Sequence, residues 1–300
     1  QTPNPKPQTP NPKPLIMNWW RVAVWVWITG EILGASRKRR CGHRAVKNRP
    51  SVLIPQDRAI KKITDGGENG LIIHLDWTDA DTNYIWGGKD ETTKAKYIYY
   101  RKLVERARDY LQETLTISGG GNLNIDRTVE IDTWDEKGTK SIGPVEVPAD
   151  LYVWVEAHDA ADPESTVFAA ASYHAQDLAT RRPILGRLEM IIPAGDDTAT
   201  NGLLYLNVFI HELLHILVFD EGLFNGYIGS SGDRIPKDRV VKASTIQGRP
   251  RSSIILSPLS TLSSDYFGQG VNTIPLEDGG DEGSAGNHWD KAFFPEEIMN

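Results

Sequence analysis

Cysteine is almost missing from this chain: Cys41 is the single one in 300 residues, so no intrachain disulfide can form. Taken alone, that scarcity favours a reducing compartment. A basic excess is missing too. Lysine and arginine number 33 against 40 acidic residues, a net charge of −7, which argues against a polyanionic partner and therefore against nucleic-acid binding. The one dense basic run is RKRR at Arg37–Arg40. A long uninterrupted apolar run is also lacking. The most apolar amino-terminal stretch, Val22 to Thr29, is bounded by Arg21 and Glu31 and is too short to span a bilayer easily.

What is present divides the chain. QTPNPKPQTPNPKP (Gln1–Pro14) is one heptad repeated, and its prolines predict an extended, disordered tail over residues 1–16. MNWWRVAVWVWITGEILGAS (Met17–Ser36) has a short polar start, an apolar centre and small residues at its end, the layout of a secretory signal. A membrane anchor is the alternative, and four tryptophans within Trp19–Trp27 suit a membrane interface. Residues 37–70 then form a leader carrying Cys41. From Leu71 the pattern is that of an α/β domain. Strands are expected at Leu71–Trp77, Thr128–Trp134, Asp150–His158, Thr166–His174 and Gly186–Pro193. Thr92–Leu115 carries Tyr100, Val104, Ala107 and Leu111 at helical spacing, and a second helix is expected over residues 202–219. Strands interleaved with two helices fit a sheet with helices on one side. Beyond Gly222 regular order is not legible, apart from a short helix expected near Ser257–Phe267.

NVFIHELLHILVFDE (Asn207–Glu221) puts three polar, titratable groups into an apolar run. Burying them costs free energy unless something pairs with them. His211 and His215 are four apart, so on a helix both rings project from one face and can grip one ion. Zinc suits neutral imidazole and, with three protein ligands, keeps one position open for water. Glu212 is one step round from His211, where it can accept a proton from that water. The bland alternative is a pair of helix histidines facing solvent or satisfied in the core.

The pattern continues with Val218 where a short HExxHxxGxxH motif has glycine, and with Glu221 where it has its third histidine. Near the carboxyl end, PLEDGGDEGSAGNHWDKAFFPEEIMN (Pro275–Asn300) brings His288 on a glycine-rich loop, followed by Trp289, with Met299 eleven residues on. At these two motifs the chain resembles the leishmanolysin (major surface protease) family of metzincin metalloproteases. The resemblance implies that His211, His215 and His288 bind one zinc ion, that Glu212 is the general base and that Met299 cushions the site in a methionine turn. It implies a metzincin-type α/β (α+β) fold, with a twisted, mostly parallel mixed sheet, an antiparallel edge strand at Thr166–His174, a long active-site helix and an irregular carboxyl-terminal subdomain. Residues 71–222 would be the catalytic subdomain, and residues 223–300 the insertion with the third ligand and methionine turn. The family's further carboxyl-terminal part is expected to be missing. An extended peptide could add to the edge strand, so proteins or peptides are the implied substrates. RRCGHR (Arg39–Arg44) resembles the family's propeptide signature, which makes Cys41 a candidate latency ligand to zinc. A secreted or cell-surface location follows, with membrane association through the amino-terminal apolar segment.

Two rivals stay open. One is a catalytically inactive leishmanolysin-like adhesion or binding module. The other is a zinc peptidase of a different clan, with Glu221 or Glu277 as third ligand. His74, His158 and His174 are read as structural. The acidic cluster Glu277, Asp278, Asp281 and Glu282 is read as a solvated approach to His288.

Overall fold

The computed structural model describes residues 15–17, 51–56, 69–117, 121–133, 138–160, 167–194, 198–229, 233–246, 248–256, 259, 261, 264, 270, 272–279, 285–292 and 298–299. Cys41 and the apolar segment from Asn18 to Ser36 lie outside these residues.

The organising element is a five-stranded sheet. Its strands are β1 (Val52–Ile54), β2 (Ile73–Asp76), β7 (Leu151–Asp159), β8 (Ala169–Asp177) and β9 (Pro183–Ile192), in the spatial order β1-β8-β9-β7-β2. β7 runs parallel to both β9 and β2, whereas β8 is antiparallel to β9. The chain is thus a mixed α/β fold.

Two helices cover one face, α1 (Glu91–Thr114) and α2 (Thr198–Leu217). α1 starts where Asp90 accepts a hydrogen bond from the Thr93 amide at 3.0 Å, satisfying one of the open donors of its first turn. Its buried face is the expected one: Tyr100, Val104, Ala107 and Leu111 enter the main core with Val153, Val155 and Ala157 of β7. Strand alternation sends the neighbouring residues the other way. Tyr152 and Trp154 enter a second core, built from β3 (Leu123–Ile125), β4 (Val129–Asp132), β5 (Thr139–Ile142) and the end of β1. β3 pairs with β6 (Val145–Val147), and β4 pairs with β5. Away from this sheet, Leu115–Ile117 pairs with Leu15–Met17 and with Asn69–Gly70.

Gly186 sets the depth of α2. A Cβ there would stand 2.4 Å from Ile216, so only a bare backbone lets the helix lie this close to β9. The carboxyl-terminal half of α2 is thereby pressed onto the sheet.

Two expectations change. The strand expected at Thr166–His174 runs from Ala169 to Asp177. It is antiparallel to β9 as anticipated, but it is not an edge along its whole length. β1, from the leader, pairs in parallel with Ala175–Asp177. The leader is therefore part of the domain at this point. Ile54 is 0% exposed and sits in the second core. Gln56 exchanges two hydrogen bonds with the backbone of Asn124, at 2.7 and 3.1 Å. Ile54→Ala is accordingly expected to lower unfolding stability by about 2–4 kcal/mol, measured by denaturant titration, and an unchanged midpoint would mean that β1 is not docked. Any cleavage that frees Cys41 and keeps this strand has to fall before Val52.

The second change is beyond Gly222, where order is greater than expected. β10 (Val241–Ile246) and β11 (Arg249–Ile254) form an antiparallel hairpin, turning at Gly248 with φ of 77°. Mostly polar strands such as RPRSSI, exposed at Arg249 and Pro250 and buried at Ile254, carry no apolar alternation to read. In the segment read as a short helix, Leu259, Thr261 and Ser264 are helical, and the rest is outside the described residues.

Candidate metal centre

The histidine pair is on the last turns of α2, as its spacing requires. His211 is 5% exposed, while His215 and Glu212 are fully buried. Leu213, Leu214 and Leu217 fill the core on the other side of the helix and fix its rotation. α2 then ends without the glycine of the short motif. The amides of Val218 and Phe219 both donate to the Leu214 carbonyl at 2.8 Å, and the Tyr227 hydroxyl donates to the Val218 carbonyl at 3.1 Å. Among the described residues Arg181 alone, of those that are not glycine, has positive φ, so Val218 makes this exit with ordinary backbone angles.

His288 arrives from 73 residues beyond His215. Its loop is held by paired backbone bonds: Glu277 N–H donates to the His288 carbonyl at 2.9 Å, and Gly286 N–H donates to the Glu277 carbonyl at 2.9 Å. Asn287 Oδ1 accepts from the Glu221 amide at 2.7 Å, tying the loop to the segment after α2. Trp289, fully buried, packs edge-on against Phe219 with ring centroids 4.6 Å apart. Its amide donates to the Met299 carbonyl at 2.9 Å, which brings in the carboxyl-terminal turn.

The result is a triangle of Nε2 atoms. His215 lies 3.0 Å from His211 and 3.2 Å from His288, and His288 lies 3.3 Å from His211. Each ring also turns its other nitrogen to an oxygen. Nδ1 of His211 meets the Ile298 carbonyl, Nδ1 of His215 meets the Phe219 carbonyl at 2.7 Å, and Nδ1 of His288 meets Glu277 Oε2 at 3.3 Å. A carbonyl oxygen only accepts, so those Nδ1 atoms carry the proton and the Nε2 lone pairs point inward. Three lone pairs converging in a buried site repel unless a cation lies among them. Zinc–nitrogen bonds of about 2.0–2.1 Å at tetrahedral angles would set the nitrogens about 3.3 Å apart, so the donor set fits zinc. No other group of three histidine, cysteine or acidic side chains among the described residues converges in this way.

Sequence comparison bears on the same segment. The model of peptidase family M8, leishmanolysin, matches residues 95–300. The chain belongs to the leishmanolysin family. No curated protein matches it individually.

Leishmanolysin membership makes a zinc-dependent metallopeptidase the activity that the family implies. Within this family member the two alternative carboxylate ligands sit elsewhere. Glu221 points away to Lys237 at 3.0 Å, its side chain 59% exposed. Glu277 stands on the Nδ1 side of His288, opposite the converging nitrogens, and is not the solvated residue that the glycine-rich context suggested: its side chain is 14% exposed. Burial pushes the Glu277 carboxyl up, but His288 and Lys291 outweigh it and hold it below the ordinary range. Asp278 pairs with Arg251 at 3.2 Å, while Asp281 and Glu282 lie outside the described residues.

Met299 is 0% exposed and belongs to the main core, next to Ile298, whose carbonyl holds His211. The other described histidines, His74, His158 and His174, do not join the triangle. His74 stacks on Tyr152 with centroids 5.2 Å apart, His174 contacts Ser172 Oγ at 3.0 Å, and His158 lies near Glu156 and Glu189. Reading by spacing missed the three oxygens behind the rings, because two are backbone carbonyls with no sequence signature.

Proposed function

We propose that this chain is a zinc endopeptidase of metzincin-type fold, in which His211, His215 and His288 hold one zinc ion and Glu212 is the general base. The inward convergence of three Nε2 atoms, with every Nδ1 occupied behind them, carries the reading. Zinc, when bound, supplies Lewis acidity that makes water a nucleophile near neutral pH and polarises the peptide carbonyl.

The side chains do the rest. The Glu212 carboxylate takes one proton from water as the oxygen–carbon bond forms. It hands that proton to the leaving nitrogen as the carbon–nitrogen bond breaks, so the carboxylate ends as it began. Its fully buried position suits that role, since a dry carboxylate interacts more strongly with a nearby proton. Met299 closes the floor beneath the ligands. An extended substrate adds to β8 along Ala169–Tyr173, where no described strand pairs on the outer side. Proteins and peptides are thus the substrates. Cys41 is the candidate latency ligand, a thiolate able to occupy the open metal position until the segment before β1 is cut. The location is secreted or at the cell surface, with the amino-terminal apolar segment available for membrane association. Among the described residues no helix is long and apolar enough to cross a membrane.

The test is direct. Protein cleaved between Cys41 and Ser51 is expected to hold about one zinc per chain and to digest casein, with activity lost to a chelator and restored by zinc. Stoichiometric zinc with no hydrolysis of casein or of unfolded protein would instead support the inactive binding module. Absence of bound zinc would refute the zinc endopeptidase and leave the inactive module standing.

A further inference from the structure

The three ligand histidines are not held alike, and the difference assigns a role to Glu277. Behind His211 and His215 stand neutral backbone carbonyls, whereas behind His288 stands a carboxylate. We propose that Glu277 is a positioning residue for the metal: its Oε2 fixes the tautomer and orientation of His288 and strengthens it as a ligand. This rests on the zinc reading above.

The placement is built rather than incidental. Leu276 bridges to Trp289, and the backbone of Glu277 is bonded on both sides, to His288 and to Gly286, so the carboxylate is carried at a set height beside the ring. Its two oxygens are divided between partners. Oε1 takes Lys291 Nζ at 3.1 Å, leaving Oε2 for His288 Nδ1 at 3.3 Å. The mostly buried side chain faces His288 through poorly hydrated surroundings, where the negative charge acts on the imidazole with little screening. His288 also has most need of such help. His211 and His215 are fixed by one rigid helix, but His288 comes in on a loop whose closure from α2 spans many residues. An anionic acceptor raises the basicity of a ligating imidazole and holds its ring plane.

The measurement is zinc affinity by competition with a chromophoric chelator, made on the same protein with the leader cut before Ser51. Glu277→Gln keeps the shape and removes the charge. It is expected to bind zinc about 10–100-fold more weakly, still reaching one ion per chain at saturation, with the melting temperature of the zinc-free protein within a few degrees of the parent. Glu277→Asp, which keeps the charge, is expected to recover part of the loss. Asp278→Asn removes a neighbouring charge that faces Arg251, and its affinity is expected to stay within about threefold of the parent. The proposal is overturned if Glu277→Gln binds zinc within threefold of the parent, or if Asp278→Asn weakens binding equally. It is also overturned if Glu277→Gln lowers zinc binding as far as is expected of His288→Ala, since that would make the carboxylate a ligand. A parent protein with no zinc at all defeats the zinc reading itself, a result none of the variant comparisons produces.

Discussion

Glu212→Gln is expected to lower casein hydrolysis by about a thousandfold or more while leaving one zinc bound per chain. The glutamine amide has the same volume and sits in the same fully buried position on α2, so the helix and its two histidines are not disturbed. What disappears is the ability to accept a proton. The three converging nitrogens belong to other residues, so the metal content should not move. Loss of zinc together with activity would mean that Glu212 holds the site together instead of acting on the substrate. Retained activity would mean that another group takes the proton.

His288→Ala should act in the complementary way. Removing one of three donors is expected to weaken zinc binding by at least a hundredfold, and hydrolysis should fall with it at ordinary zinc concentrations. Because Trp289, not His288, fills the core beside Phe219, the fold should survive the substitution. Circular dichroism of the zinc-free variant, expected to match the parent, separates lost metal from lost structure. An unchanged zinc affinity would leave the distal histidine outside the coordination sphere.

How much of this was legible beforehand depended on where the information lay. The α2 site was readable because four-residue spacing on an apolar helix is a local property of the chain. α1 was readable for the same reason. His288 was found by likeness of the LEDGGDEGSAGNHW segment to a family pattern, since nothing in local spacing joins two residues so far apart. The β10–β11 hairpin was not legible: its strands are mostly polar and reach the main core through Ile254 at one end, so no alternation marks them. β1 was hidden differently. SVLIP looks like any short apolar patch in a leader, and its burial depends on a slot between β8 and the second core that forms only in three dimensions. Glu277 was misread as solvated because glycine-rich, acidic sequence usually is. Its burial comes from the ladder between Leu276 and Trp289. Backbone carbonyls behind His211 and His215 could not be read at all, since any residue supplies one.

The most direct measurement is a crystal structure of the zinc-loaded protein, with the ion located by its anomalous scattering. The expected result is one ion bonded to Nε2 of His211, His215 and His288 at about 2.0–2.1 Å. A carboxylate in place of His288 in that coordination sphere, or a zinc ion bound elsewhere in a protein whose three rings stand apart, would contradict it.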